Sequence, residues 1–190
     1  KKYLPSTEYF LVYVEPLEED VVQGILSGEV PQGTRIKDKK TLAKKLQELG
    51  LSKEEAKGIE AIHGPNVLLD MTWGIQYLNE TMELIKQAFV EAMDRGPLAA
   101  EKCYGLKVKL VDAKLHEDSI HRGPAQVIPA VRNSIYGAMC QGGRVLLEPI
   151  QKVFISVPHE LVGAVTHEIA QRRGIILDMQ QEDYQTMVIA

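Results

Sequence analysis

The chain has 190 residues, 45% of them hydrophobic and 25% charged, with a formal net charge of −4. That balance fits one or two globular domains with a core of their own, and by itself disfavours nucleic-acid binding while leaving room for a local positive tip. No apolar run is long enough to span a bilayer, Lys1 to Pro5 opens no secretory signal, and Cys103 and Cys140 lie outside any C-x-x-C pair, so the expectation is a cytoplasmic chain with reduced thiols and no membrane partner.

Tyr9 to Val14 is aromatic, apolar and β-branched and reads as a buried strand, broken by Pro16. Glu18, Glu19 and Asp20 suit a helix N-terminus, and Val21, Val22, Ile25 and Leu26 supply that helix with an apolar face. Gly28 to Lys40 reads as a loop, and Thr41 to Leu49 as a helix ending at Gly50. Ser52 and Glu55 form a capping-box pattern that opens the next helix. Lys37, Lys39, Lys40, Lys44 and Lys45 read as a solvated charged face in preference to an RNA patch.

The turn residues Gly64-Pro65-Asn66 lead into a short strand, Val67 to Met71. Ile75, Leu78, Met82, Ile85, Phe89 and Met93 then mark the clearest helix, stopping at Gly96-Pro97 with the glycine expected in a left-handed cap. Leu106, Val108 and Leu110 alternate with Lys107 and Lys109, so Gly105 to Leu115 reads as a half-buried strand. A polar connection, His116 to Gln126, precedes a helix with Pro129 at its first position and Val131, Ile135 and Ala138 or Met139 inside. Gln141 to Arg144 reads as a turn. From Glu148 a second unit begins. Val153, Ile155 and Val157 alternate as a strand, Leu161, Val162, Val165 and Ile169 share a helix face, and Ile175 to Asp178 and Thr186 to Ala190 read as two strands. The order β-α-β-β is the first part of a ferredoxin-like unit, and the apolar final residues suggest a chain cut from something longer.

The segment His116-Glu117-Asp118-Ser119-Ile120-His121-Arg122-Gly123-Pro124-Ala125-Gln126 concentrates the chemistry. As a metal site it is poor. His116 and His121 are five apart, roughly 140° around a helix, and no Cys/His cluster supplies further ligands. As a plain loop, Ser and Asp bond the local backbone and the imidazoles are solvated. As an RNA-contacting loop, a helix N-terminus draws phosphate, Arg122 forks onto it, the histidines stack on bases, and Lys107, Lys109 and Arg132 add positive potential. The chemistry alone leaves the last two level.

The stretch KVKLVDAKLHEDSIHRGPAQVIPAVR, from Lys107 to Arg132, closely resembles the segment of archaeal and eukaryotic elongation factor 2 that bears diphthamide, the modified histidine attacked by diphtheria toxin. GPNVLLDMTWGIQYLNETMELI, LLEPIQKVFISVP and RRGIILDMQ resemble flanking segments of the same family. The last two also resemble bacterial elongation factor G, whereas HEDSIHRG does not, and Gly-Pro-Ala-Gln after the arginine is similar to the archaeal branch. KKYLPSTEY stands where the family has a basic loop with His and Asn, and Trp73 where many relatives carry a basic side chain, which puts a phosphate contact there in doubt.

The resemblance implies an α+β chain. Residues 1–147 are the factor's domain IV, a two-layer α/β domain with a left-handed βαβ crossover, and residues 148–190 are part of domain V. It implies that His121 is the diphthamide residue, and that His116, Asp118, Ile120, Arg122, Gly123 and Gln126 form an RNA-contacting tip. Arg172 and Arg173 are implied ribosome contacts, with stabilisation of a helix C-terminus as the alternative. The implied partners are the ribosome with its ribosomal RNA, tRNA and mRNA, the diphthamide-synthesis enzymes and ADP-ribosylating toxins. The chain has no G-x-x-x-x-G-K-[ST] phosphate loop. GTP and Mg are therefore expected in a separate G domain, with no cofactor, no metal and no enzymatic activity in this part.

Overall fold

The computed structural model describes residues 9–190, so the reading of Lys1 to Pro5, and nearly all of KKYLPSTEY, lies outside the described residues. The chain is mixed α+β and divides into two compact units, one ending at Val145 and the other running Leu146–Ala190.

The first unit runs β1 (Tyr9–Pro16), α1 (Glu19–Leu26), α2 (Lys39–Glu48), α3 (Lys53–Lys57), β2 (Ile59–Ile62), β3 (Val67–Asp70), α4 (Leu78–Asp94), β4 (Leu106–Lys114) and α5 (Pro124–Gln141). Its sheet has the order β1-β4-β3-β2. β1 pairs antiparallel with β4, and β2 pairs antiparallel with β3. β3 and β4 run parallel, joined by the α4 crossover, so both strands deliver their following loops to the same end of the sheet.

Two apolar clusters explain the sequence pattern. Phe10, Val12, Leu68, Val108 and Leu110 pack with Ile85 and Phe89 of α4 and Val127, Val131 and Ile135 of α5. Val21, Val22, Ile25, Leu42 and Leu46 of the first helices pack with Ile59, Val67 and Leu69. Alternate residues of β3 thus enter different clusters, which is why its four residues read as a continuous apolar run.

β1 is not the fully buried strand expected. Phe10 and Val12 are buried, while Tyr9, Leu11 and Tyr13 are exposed, because an edge strand here packs only one face. β2 carried no signal. It is four residues long, contains Glu60, and has an irregularity in its pairing between Ile59 and Ala61. α4 begins only at Leu78, after Tyr77 adopts φ 63°, so Ile75 lies before the helix. It does not end on a left-handed glycine. Gly96 is instead needed for close approach: its N–H donates to the Glu101 carbonyl at 2.8 Å, and a Cβ there would meet Cys103 Sγ at 3.0 Å. Pro129 is not the first residue of α5. Pro124 holds that position and Pro129 lies inside the helix, leaving the Ala125 carbonyl without an i+4 donor.

The capping box forms as written. Ser52 Oγ accepts from the Glu55 N–H at 3.2 Å, and Glu55 Oε2 accepts from the Ser52 N–H at 3.2 Å. Ser52→Ala is expected to lower stability by about 1 kcal/mol, read as a shift in the urea midpoint at unchanged slope.

The second unit runs β5 (Phe154–Pro158), a 3-10 turn (His159–Leu161), α6 (Val162–Gln171), β6 (Asp178–Gln181) and β7 (Gln185–Ile189). Its sheet is antiparallel with order β5-β7-β6. The last strand is therefore central, and Val188 is fully buried. β6 begins at Asp178, not at Ile175. Ile175 and Leu177 are exposed, and the extended run reaches the sheet only where the Leu177 N–H meets the Ile189 carbonyl at 2.8 Å.

Candidate nucleic-acid interface

The segment Leu115–Gly123 leaves β4 at the end of the sheet where the β3–α4 connection also emerges. Its backbone is organised by its own polar side chains. Asp118 Oδ1 accepts from the Ile120 N–H at 3.0 Å and caps a 3-10 turn, Ser119–Arg122. His116 Nδ1 accepts from the Asp118 N–H at 3.0 Å. The turn leaves His121 exposed, and its ring meets that of half-buried His116 edge-on at 4.5 Å between centroids.

Arg122 points the other way. It is 8% exposed, and its Nη1 donates to the carbonyls of His116 at 2.6 Å and Glu117 at 2.7 Å. Nη2 donates to Glu80 Oε2 at 2.7 Å, and the guanidinium lies 4.1 Å over the Tyr77 ring. Both Nη atoms of Arg122 are thus engaged within the protein, and the side chain holds the loop from beneath. Ile120, the loop's one large apolar residue, is 78% exposed. Gly123 caps α5 in extended backbone, its carbonyl accepting from the N–H groups of Gln126 and Val127. A Cβ there would meet Gln126 Oε1 at 3.1 Å, so the glycine makes room for the Gln126 side chain. Gln126 is exposed in the first turn of α5.

The cations expected to reinforce the tip are committed elsewhere. Arg132 pairs with Glu91 at 3.0 Å. Lys107 is 4% exposed, with its Nζ 2.7 Å from Glu18 Oε1 and 2.9 Å from Glu55 Oε1. Lys109 reaches Glu15 at 2.7 Å. Burial alone would raise the Glu55 carboxyl, but hydrogen bonds from Lys107 and Ser52 and the lysine's charge bring it down to about 2. Burial likewise opposes the Lys107 ammonium, yet Glu18 and Glu55 hold its pKa above the ordinary value. On the α2 side, Lys39 pairs with Glu60 and Lys45 with Glu29. Arg172 pairs with Glu168 and Arg173 with Glu148, each at 2.7 Å and both guanidinium groups largely exposed.

Sequence reasoning missed Tyr77 and Glu80, the partners of Arg122. They lie some forty residues upstream on another element, and no local pattern ties them to the loop. Among the described residues no group of three His, Cys, Asp or Glu side chains is placed to hold a metal ion, and no helix is long and apolar enough to cross a membrane.

The family model described as "Elongation factor G, domain IV" matches residues 28–143, and the one described as "Elongation factor G C-terminus" matches residues 145–190. Among curated proteins, the chain is 65% identical over 181 residues to "Elongation factor 2" of Picrophilus torridus, covering 95% of this chain and 25% of that protein. It is 58% identical to the protein of the same name from Thermoplasma volcanium, with 95% and 25% covered. For Archaeoglobus fulgidus the identity is 55%, with 95% and 24% covered. The chain thus spans about a quarter of the length of the curated relatives it matches.

Proposed function

Because the chain belongs to the elongation factor 2 family, we propose that it is the part of a GTP-dependent translocation factor that enters the ribosomal decoding site, with His121 as its diphthamide residue. The observation that carries this reading is the exposed His121 ring on a turn whose backbone is braced from inside by Arg122. A modifying enzyme needs an accessible imidazole, and an RNA-directed group needs a fixed base from which to project.

In this reading the tip works by position and charge. An ordinary imidazole, with a pKa of about 6.5, is mostly neutral at physiological pH. Diphthamide replaces it with a long arm bearing an amide and a permanent cation, which reaches RNA phosphate or the codon–anticodon helix at any such pH. His116, Asp118, Ile120, Gly123 and Gln126 shape the surface around it, and Arg122 sets the loop's geometry from beneath. Arg172 and Arg173, exposed beyond the end of α6, are further candidate ribosome contacts. The partners are ribosomal RNA, tRNA and mRNA, together with the diphthamide-synthesis enzymes and ADP-ribosylating toxins that act on His121 in the cytoplasm. GTP hydrolysis, with its Mg ion, belongs to the G domain of the factor, and these residues bind no cofactor of their own.

The test is the mass of the peptide containing His121, released from the full-length factor purified from its native host. Added mass on His121 is expected, and a plain histidine overturns the assignment. Because His121 is exposed, His121→Ala is expected to change stability by less than about 0.5 kcal/mol, while abolishing toxin-catalysed transfer of ADP-ribose. A variant that still accepts ADP-ribose on this loop would also refute it.

A further inference from the structure

Beside the His121 loop, the β3–α4 connection carries Trp73, the chain's one tryptophan, at 95% exposure. Tryptophan is strongly buried in most folds, and here it makes no contribution to either apolar cluster. The connection around it is not loose. Asp70 Oδ1 accepts from the Thr72 N–H at 3.0 Å and from Thr72 Oγ1 at 2.7 Å. Ile75 packs against the core, and Tyr77, at φ 63°, lies under the Arg122 guanidinium. Trp73, Gly74 and Gln76 are the exposed residues of the connection. Gly74 has φ 70°, and a Cβ there would meet nothing within 4 Å, so the chain next to Trp73 is open to solvent at that position.

We propose that Trp73 is a stacking platform for an unpaired RNA base, a binding residue additional to the His121 loop. The proposal rests on the reading of that loop as RNA-facing. Three observations favour a base over a protein partner. A protein-docking tryptophan sits at the centre of a continuous apolar patch that excludes water, whereas Trp73 is flanked by half-buried Thr72 and by exposed Gly74 and Gln76. Stacking needs only one accessible ring face, and every base offers its partner face. The Tyr77–Arg122 contact ties the Trp73 connection to the His121 loop, so the indole belongs to the same end of the unit as the loop read as RNA-facing.

A labelled single-stranded oligoadenylate titrated onto the chain at low salt tests this, with anisotropy reporting affinity and tryptophan emission reporting the ring itself. Stacking is worth about 1–3 kcal/mol per base, so Trp73→Ala should weaken binding by about five- to 150-fold and Trp73→Phe should retain most of it. Bound RNA should quench the emission of the native chain. Equal affinity of Trp73→Ala, unquenched emission in the bound state, or absence of binding overturns the proposal. An emission change with RNA-free small-subunit proteins but not with oligoadenylate would replace the base with a protein partner. Failure of the wider reading is separate: it shows as an unmodified His121 in the native factor, whatever the outcome at Trp73.

Discussion

Lys107→Met is expected to cost about 3 kcal/mol of stability at neutral pH, although the methionine is nearly isosteric and lies in a strand. Lys107 Nζ sits between Glu18 and Glu55, with Glu15 at 4.0 Å and Lys109 beside it. Removing the central ammonium leaves two carboxylates facing each other with their main counter-charge gone, and breaking a buried pair from one side costs about 3–5 kcal/mol. The lower figure applies because Glu18 is about a third exposed. Urea unfolding measures the loss. Adding Glu55→Gln should return part of it, since the two sites share one network; a strictly additive double variant would dismiss the cluster as a stabilising unit.

The same cluster predicts acid sensitivity. The Glu55 carboxyl is held at about 2, below its ordinary 4.5. A group whose folded pKa is depressed stabilises the fold above its unfolded pKa and loses that contribution as pH falls through the folded value. The gap is worth about 3 kcal/mol, so stability should decline between about pH 4.5 and 2. In Lys107→Met the decline attributable to this window should shrink, because the partner that depresses Glu55 is missing.

Arg122→Ala is expected to lower stability by about 2 kcal/mol, and the melting temperature by about 5–8 °C. The His116 and Glu117 carbonyls lose a charged donor, and Tyr77 loses the cation over its ring. The Glu80 pair adds little, because that carboxylate is 65% exposed. Arg122→Lys should not restore the loop, since one ammonium cannot replace a fork that spans two carbonyls, a carboxylate and a ring. Hydrogen exchange should quicken at the amides of Ile120 and His121, which the present turn protects. The contrast with His121→Ala is diagnostic: adjacent residues, one holding the loop and the other displayed by it. If Arg122→Ala proved as stable as His121→Ala, the bracing role would be wrong.

Much of this molecule was legible from local chemistry. The Ser52–Glu55 capping box, the periodic face of α4, the short apolar β3 and the β-α-β-β order after Glu148 all depend on residues within a turn or two of one another. The HEDSIHRG segment was legible as a family signature, which named His121 without any knowledge of where its ring points. What escaped depended on distant partners. β2 escaped because four residues with one glutamate carry no period, and it forms only by pairing with β3. β6 was misplaced by three residues because apolarity marked Ile175 to Leu177, while the register of β7 decides which residues pair.

The charged residues show the division most clearly. Alternation along β4 placed Lys107 correctly on the face opposite Leu106, Val108 and Leu110. It could not reveal that this face is covered near Lys107, or that three glutamates from β1, the β1–α1 connection and α3 converge on it. Arg122 likewise read as a surface cation beside a histidine. Whether an arginine reaches solvent or the interior depends on the few ångströms around its guanidinium, and here those are supplied by Tyr77 and Glu80 of a remote connection and helix. The sequence by itself determined most of the elements and the family, because those rest on short-range pattern. Only the tertiary structure decided which cations are spent in holding the fold and which are free to meet a partner, because charge pairing is set by proximity in space and falls off steeply with distance.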